Sequence, residues 1–312
     1  MVWQKNLHCV KSRIRESVRE NIPGEFKGKI ILDEPLWKHT SFKIGGPAKY
    51  FITPFDEEEL KFAIKYAALN NMPLCVIGAG SNLLVSDKGI DGVVVKLSSA
   101  FFKKISLKSV SLEVGAGCLL GNLINEAKNN GLSFLEFLTG IPGTVGGALV
   151  MNAGIPGKSI SDLVEDVTVM DYNGICRVIK REDLSFSYRR SNLSDCIVLR
   201  ANLKCGKSRQ DEIKMRIKGY LDARKSSQEL NLPSAGCVFK NPAIGPAGKL
   251  IDLCGLKGKM IGAARVSEKH ANFIVNTGQA KAEDVFALME LIIENVEHKF
   301  NITLEPEIKI WK

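Results

Sequence analysis

The chain has 312 residues, 45% of them hydrophobic, which is enough for two or three domains with sizeable cores. Its net charge of +9 is dispersed, and no basic block, zinc finger or RNA-binding signature indicates a nucleic-acid partner. No apolar run approaches the roughly 18 to 20 residues of a membrane span, and the charged first residues lack the apolar stretch of an export signal. We therefore expect a cytoplasmic protein, and its diffuse positive charge suits small anionic ligands.

Helices and strands alternate along the first two thirds of the chain. Apolar residues at helical spacing predict a helix over 57–70, and 119–131 is a second amphipathic helix, with Gly131 as its C-cap. Short apolar or alternating runs predict strands at 74–78, 92–97 and 110–114. The Asn173-Gly174 pair predicts a tight turn between two further strands.

The composition of the chain and its pattern of predicted elements change at about residue 208. A charged helix over 209–228 leads to a short helix around 247–254 and a strand over 271–276. A long helix over 281–300 precedes a terminal strand over 302–311. This change predicts a domain boundary near residue 207.

Two glycine-rich stretches are candidates for binding a ligand through the backbone. The first, "GAGSN" at 78–82, follows a strand, and its small residues let N–H groups approach a pyrophosphate. It lacks the GK[ST] ending of a Walker loop and the GxGxxG spacing of a dinucleotide fingerprint, so a plain tight turn also explains it. The second, "GIPGTVGG" at 140–147, has more glycines than a connection needs, although close helix packing is an alternative. Together the two stretches favour a dinucleotide-type ligand.

The eight cysteines form no CxxC pair and show no metal-ligand spacing with the four histidines. They are typical of free thiols in a reducing compartment, and we expect no metal; His270 is interpreted as structural. Cys237, in "LPSAGCVFKNP", differs from the others because its neighbours are turn residues and polar groups. From the residues alone it is a core filler, a nucleophile, a metal ligand or a proton donor.

Eight co-linear motifs closely resemble those of the UDP-N-acetylenolpyruvoylglucosamine reductase (MurB) family, from about residue 38 to the end. They are "TSFKIGGPAKYF", "IGAGSNLLVSD", "EFLTGIPGTVGGALVMNAG", "FSYRRS", "AGCVFKNP", "AGKLIDLCGLKG", "GAARVSEKHANFIVN" and "LEPEI". The lack of an inserted loop is similar to the shorter, type II form. The resemblance implies an α+β fold, with a two-subdomain FAD-binding module of the vanillyl-alcohol-oxidase/PCMH type and an α+β substrate-binding domain.

The resemblance also implies a division of the chain into domains. Residues 1–37 are an extension, 38–207 with the C-terminal strand 301–312 are the FAD module, and 208–300 bind a UDP-sugar. FAD is expected to be non-covalent, with NADPH as co-substrate and the protein a monomer. The residues implied to bind the flavin are Gly78, Ala79, Gly80, Ser81, Asn82, Gly140, Ile141, Pro142, Gly143, Gly146 and Gly147.

The implied reaction reduces the enolpyruvyl group of the UDP-sugar, giving UDP-N-acetylmuramate for peptidoglycan synthesis. Negative charge develops next to the substrate carboxylate, so donors aimed at its oxygens are needed. Arg189 matches the family's catalytic arginine and Glu307 its glutamate, although Glu305, two residues away on a predicted strand, would share its face. Cys237 stands where most members have a serine, the donor of the final proton. A neighbouring arginine would lower the pKa of this thiol and an apolar site would raise it.

Tyr188, Lys240 and Asn241 are implied to contact the UDP-sugar. Two rival hypotheses remain at this point. An FAD-dependent sugar or lactone oxidase of the same fold explains the glycine loops, but not "AGCVFKNP" or "LEPEI". A non-catalytic protein that binds flavin and UDP-sugar is supported only by the serine-to-cysteine change.

Overall fold

A computed structural model describes residues 26–229 and 231–312. The helices are α1 Glu57–Leu69, α2 Leu120–Asn129, α3 Val145–Val150, α4 Gln210–Ser227, α5 Ala247–Leu253 and α6 Ala282–Phe300. The strands of the first two thirds are β1 Lys29–Pro35, β2 Pro47–Thr53, β3 Leu74–Val76, β4 Leu83–Val85, β5 Ile90–Val95, β6 Ile105–Lys108, β7 Ser111–Gly115, β8 Leu132–Ser133, β9 Gly154–Ile155, β10 Lys158–Ser159, β11 Val164–Met170, β12 Cys176–Lys180, β13 Phe186–Ser187, β14 Arg190–Ser191, β15 Ile197–Lys204 and β16 Gly206–Lys207. The remaining strands are β17 Ser234–Cys237, β18 Met260–Ile261, β19 Ala264–Val266, β20 Phe273–Asn276 and β21 Lys309–Trp311.

The first sheet has the strand order β1-β2-β5-β3. β1 pairs antiparallel with β2, whereas β5 lies parallel to both β2 and β3. Leu60, Ile64 and Ala67 of α1 are buried, as the helical spacing of the sequence predicts. Because β1 begins at Lys29, the sheet starts before the boundary predicted at residue 38; residues 1–25 of the predicted extension lie outside the described residues.

The second sheet is antiparallel, with the strand order β12-β11-β15-β7-β6. The hairpin between β11 and β12 turns at Asn173-Gly174, where Gly174 has φ of 81°. Gly131 follows α2 with φ of 64°, as its predicted C-cap role requires. One hydrophobic core joins both sheets, so the first two thirds of the chain pack as a two-part module.

A third unit packs α5 and α6 with the four-stranded sheet β17-β20-β19-β18. Its core is separate and includes Phe239, Ile251, Val285 and Ile292, all at most 1% exposed. The N-terminus of α6 is capped from the first module, since Asp87 accepts hydrogen bonds from Ala282 N at 2.9 Å and Glu283 N at 3.2 Å.

The C-terminal segment connects the third unit to the first sheet region. β21 pairs in parallel with β4, but the terminal strand predicted over 302–311 is confirmed only for Lys309–Trp311. Upstream there is a single bridge, between Phe239 and Pro306. Pro306 has no N–H to donate, so it interrupts the ladder. None of the helices in the described ranges has both the length and the apolar character needed to cross a bilayer.

Candidate active site

The first glycine stretch connects β3 to β4 and is held close to the chain at residues 39–41. Gly80 has φ of 63°, and a Cβ there would lie 2.1 Å from His39 O, so only glycine fits. Ser41 N donates to Gly80 O at 3.0 Å. The five residues Gly78–Asn82 consequently form a tight loop on the wall of a large cleft.

The second glycine stretch turns into α3. Thr144 is the N-cap of this helix, and its hydroxyl accepts from Gly147 N at 3.3 Å. Gly146 packs against Ala116, where a Cβ would approach to 2.9 Å. The two stretches meet directly, because the Ser81 hydroxyl donates to Pro142 O. Close packing therefore explains some glycines of this second loop, such as Gly146, and the position of the loop on the cleft wall explains others.

The cleft has a volume of about 1640 Å³, and all eleven residues predicted to bind the flavin line it. Small-molecule pockets are commonly about 300 to 1,000 Å³, so an extended dinucleotide fits in the cleft. The two glycine loops expose backbone amides without side-chain obstruction, which suits a diphosphate. The residues present thus fit an FAD molecule.

Arg189 lies on the tight turn between β13 and β14. Its φ is 56°, a left-handed conformation that costs a non-glycine residue about 1 to 2 kcal/mol. Two hydrogen bonds tie the hairpin to the end of α3: Asn152 Nδ2 donates to Ser187 O at 3.1 Å, and Ser191 Oγ donates to Val150 O at 2.9 Å. The hairpin that carries the arginine is therefore hydrogen-bonded to the end of the helix that the second glycine loop begins.

Glu307 pairs with Arg189, and the two atoms Arg189 Nε and Glu307 Oε1 are 2.6 Å apart. The Glu307 side chain is only 10% exposed, whereas that of Glu305 is 65% exposed and pairs with Lys240. The expectation that both carboxylates share one face is therefore wrong, because the segment at 304–308 is not a regular strand. Of the two glutamates, only Glu307 lines the cleft.

Cys237 ends β17 beside the segment that carries Glu307. Glu307 N donates to Val238 O at 2.7 Å, which places the thiol and the carboxylate on adjacent backbones. The β17–β20 register shifts between Ser234 and Cys237, and Gly236 within this bulge has φ of 78°. Cys237, Arg189 and Glu307 all line the cleft that the glycine loops line.

Burial dominates the electrostatics of these side chains. It raises the pKa of the Cys237 thiol to about 12, and the Glu307 carboxylate adds to this rise, while Arg189 and Arg224 lower the pKa. Burial also raises the pKa of Glu307, against the lowering effect of Arg189. The site therefore keeps the thiol protonated, while the protonated form of Glu307 persists to a higher pH than that of an ordinary glutamate.

Tyr188, Lys240 and Asn241 line a second, smaller cavity of about 370 Å³. Tyr188 and Arg189 are neighbours on the hairpin turn, yet Tyr188 lines this cavity and Arg189 lines the cleft. The Arg189 guanidinium lies 5.2 Å from the centre of the Tyr188 ring. The hairpin thus contributes Arg189 to the cleft and Ser187, Tyr188 and Arg190 to the smaller cavity.

Arg224 is a cleft residue that the sequence reasoning missed. It lies near the end of α4, donates through Nη1 to Gly140 O, and is close enough to lower the pKa of Cys237. Its signal in the sequence is weak, since it is one of several basic residues on a charged helix. Within the described residues, no three histidine, cysteine or acidic side chains cluster as metal ligands, and His270 packs beside Phe273 with 4.9 Å between ring centroids.

Residues 48–180 match the FAD binding domain family. This match includes both glycine loops, so the chain is a flavoprotein and the predicted α+β flavin-binding fold is confirmed. Residues 228–311 match the family described as "UDP-N-acetylenolpyruvoylglucosamine reductase, C-terminal domain". The chain belongs to the UDP-N-acetylenolpyruvoylglucosamine reductase family, an oxidoreductase family, as the relatives show.

Several curated relatives carry the name of this reductase. That from Caldanaerobacter subterraneus subsp. tengcongensis is 46% identical and covers 91% of this chain and 94% of its own. That from Clostridium botulinum is 43% identical, with coverage of 93% and 94%. The solved reductase from Thermus caldophilus is 40% identical, with a TM-score of 0.79 and coverage of 92% of this chain and 100% of its own. The similarity spans both the flavin module and the third unit, which confirms the predicted family.

Proposed function

We propose that this protein is an NADPH-dependent reductase that converts the enolpyruvyl group of UDP-N-acetylglucosamine enolpyruvate into the lactyl ether of UDP-N-acetylmuramate. The observation that carries the proposal is that Cys237, Arg189 and Glu307 line one cleft with both glycine loops. FAD, when bound there, supplies to the substrate the hydride that it has received from NADPH. The remaining chemistry belongs to the side chains of the cleft.

Arg189 and Glu307 are proposed to hold the substrate carboxylate. Hydride addition to the terminal carbon leaves negative charge on the adjacent carbon, spread into that carboxylate. The Arg189 guanidinium remains charged and offers a fork of donors. Glu307, whose pKa is raised by burial, can donate a hydrogen bond when protonated. The 2.6 Å contact between the two side chains positions them to act on the same group.

Cys237 is proposed to deliver the final proton to the carbon that carries the charge. Its pKa of about 12 keeps the thiol protonated at neutral pH, as a proton donor must be. Arg189 and Arg224, which lower this pKa, are the groups that stabilise the charge left on sulfur. The half-buried, protonated thiol therefore suits the role that the family resemblance implies.

The small cavity beside the hairpin is proposed to bind the nucleotide part of the substrate. Tyr188, Lys240 and Asn241 supply a hydroxyl, an ammonium and an amide there, which suit a diphosphate and a sugar. We further propose a monomer in the cytoplasm, where NADPH is available and where the seven free cysteines of the described residues remain reduced.

Anaerobic stopped-flow spectroscopy tests the proposal. NADPH should bleach the flavin of the holoenzyme, and the enolpyruvyl nucleotide should then reoxidise it. Cys237→Ala should accept electrons normally but be reoxidised about 100-fold or more slowly, the contribution expected of a general acid. Cys176→Ala, which changes an exposed cysteine, is the matched control.

Either of two results would contradict the proposal. Reduced wild-type enzyme that the nucleotide fails to reoxidise would remove the reductase assignment, and oxygen consumption with a free sugar would favour the oxidase alternative. Normal reoxidation of Cys237→Ala would remove the thiol from the mechanism while leaving the reductase assignment intact.

A further inference from the structure

A group of basic side chains lies in the cleft beside the first glycine loop, and the chemistry proposed above does not use it. Its members are His39, Lys96 and Lys103, all of which line the cleft, and we term them the basic cluster. Ile77, the residue before the loop, donates from its N–H to Val95 O at 2.9 Å. Lys96 is the next residue after Val95, so it lies close to the start of the loop. His39 contacts the same loop at Gly80.

Lys96 is held in place by His39. Lys96 Nζ is 3.4 Å from His39 Nδ1, and His39 Nε2 is 3.1 Å from Glu34 Oε1. The imidazole also stacks on Phe51, with 4.2 Å between ring centroids. Burial lowers the pKa of His39, which favours the neutral ring. A neutral ring that donates from Nε2 to Glu34 leaves Nδ1 free to accept a hydrogen from the Lys96 ammonium.

Lys96 has no acidic partner of its own in the part of the chain that the structure describes. Salt bridges there join other lysines to carboxylates within 4.0 Å, but none involves Lys96 or Lys103. The charged neighbours that act on Lys96 are Lys103 and Lys43, and together with burial they lower its pKa. A half-buried ammonium among like charges is costly unless an anion lies beside it.

We propose that Lys96, oriented by His39 and assisted by Lys103, forms a phosphate-binding subsite that takes the diphosphate of FAD. The position of Lys96 and His39 against Gly78 and Gly80 supports this ligand, because the amides of that loop suit the same diphosphate. NADPH and the nucleotide substrate also carry phosphates, so the experiment must distinguish these sources. The proposal depends on flavin binding and is independent of the role of Cys237.

A competition between FAD and riboflavin on the full-length enzyme measures the contribution of the diphosphate and adenosine that riboflavin lacks, and the charge-retaining Lys96→Arg variant separates the contribution of the charge at the diphosphate. The enzyme is equilibrated with mixtures of the two flavins, and the bound fraction of each is measured by chromatography. Lys96→Gln should reduce the preference for FAD over riboflavin about tenfold or more, the effect of losing one charged hydrogen bond. Lys96→Arg should retain most of the preference. Lys65→Gln, an exposed lysine outside the cleft, is the charge-matched control and should leave it unchanged.

The preference is a ratio, so a general loss of stability in a variant does not change it. An unchanged ratio in Lys96→Gln would overturn the proposal. The proposal would equally be overturned if Lys96→Gln left the ratio intact but raised the KM for NADPH or for the nucleotide, because the subsite would then belong to that phosphate.

Discussion

Burial affects the pKa of the Cys237 thiol more than its charged neighbours do. Two guanidinium groups, those of Arg189 and Arg224, favour the thiolate, yet the pKa of the thiol is raised to about 12. The reason is that the desolvation of an anion at this half-buried position raises the pKa more than the two positive charges lower it. The thiol is therefore neutral across the ordinary pH range, a state that suits a proton donor and not a nucleophile.

Thiol labelling tests this consequence. At pH 8 a pKa of about 12 leaves about one Cys237 thiolate in ten thousand. We expect iodoacetamide to modify exposed Cys176 about 100-fold or more faster than Cys237, as followed by peptide mass spectrometry. Cys176→Ser should remove the fast phase. Equal labelling rates at pH 8 would show that Cys237 is not buried in this way.

The two glutamates of the C-terminal segment should differ sharply in their effect on activity. Glu307→Ala removes a donor from the cleft and should slow substrate reduction about 100-fold or more, as measured by single-turnover flavin reoxidation. Glu305→Ala removes an exposed ion pair with Lys240 and should cost less than about fivefold. Similar losses in both variants would contradict the division of roles.

The pH dependence of the same step reports the protonation of Glu307. Because burial raises its pKa, the protonated form persists to higher pH than in an ordinary glutamate, and the rate should fall as the pH passes that pKa. Glu307→Gln is permanently neutral and should not show this fall. A decline of the same size in Glu307→Gln would assign it to another group.

A side chain provides the hydrogen bonds to the backbone that follows the strand carrying Cys237. Beyond the bulge at Gly236, Asn272 replaces the regular ladder: its Oδ1 accepts from Phe239 N at 2.9 Å, and its Nδ2 donates to Phe239 O at 2.8 Å. Asn272 is only 2% exposed, so water cannot take over these bonds. One buried amide thus positions the backbone next to the thiol.

Asn272→Ala should destabilise the protein measurably. It leaves the N–H and the C=O of Phe239 buried without partners, which should lower the free energy of unfolding by about 2 to 4 kcal/mol in urea titrations. Asn125→Ala, an exposed asparagine on α2, should change it by less than about 0.5 kcal/mol. Equal stabilities for the two variants would show that the Asn272 bonds are energetically neutral.

The predictions of helices and strands were confirmed where the residues that specify the element lie close together in the sequence. The 57–70 helix, the helix at 281–300 and the Asn173-Gly174 hairpin all occur, because spacing, caps and turn residues act within a few positions of one another. The terminal strand was overextended, since alternation in "ITLEPEI" ignores the missing N–H of Pro306. Beyond that proline, tertiary contacts decide which way each side chain points.

Polar contacts that flank the cleft hold α4 and β17 against the flavin module, and the apolar side chains of Phe42, Ile44 and Leu84 pack into the core of the third unit. Glu136 of the flavin module is 7% exposed and lies 2.9 Å from Arg216 Nη2 of α4, and it also accepts from Phe134 N at 2.7 Å. Farther along the same helix, Arg224 reaches Gly140. Ser41 Oγ donates to Ser234 O at 2.6 Å. These contacts fix α4 and β17 against the glycine loops.

Arg216→Leu should weaken this attachment. Glu136 would remain largely buried without a cationic partner, and we expect a loss of about 1 to 3 kcal/mol in unfolding free energy, at the lower end because Arg216 is 42% exposed. Arg209→Leu changes an arginine that is 80% exposed and should have little effect. Indistinguishable urea midpoints for the two variants would contradict a role for Glu136 in fixing α4 to the flavin module.

The sequence by itself determined the family, the flavin-binding class and most helices and strands, because these depend on ordered motifs and on local periodicity. It placed Gly78, Gly140, Arg189, Cys237 and Glu307 in separate segments without showing how they meet. Only the tertiary structure put these residues on one cleft, separated Glu307 from Glu305, and assigned Tyr188 and Lys240 to a second cavity. The physical reason is that burial, pKa and ion pairing depend on contacts across the whole fold, which spacing along the chain does not encode.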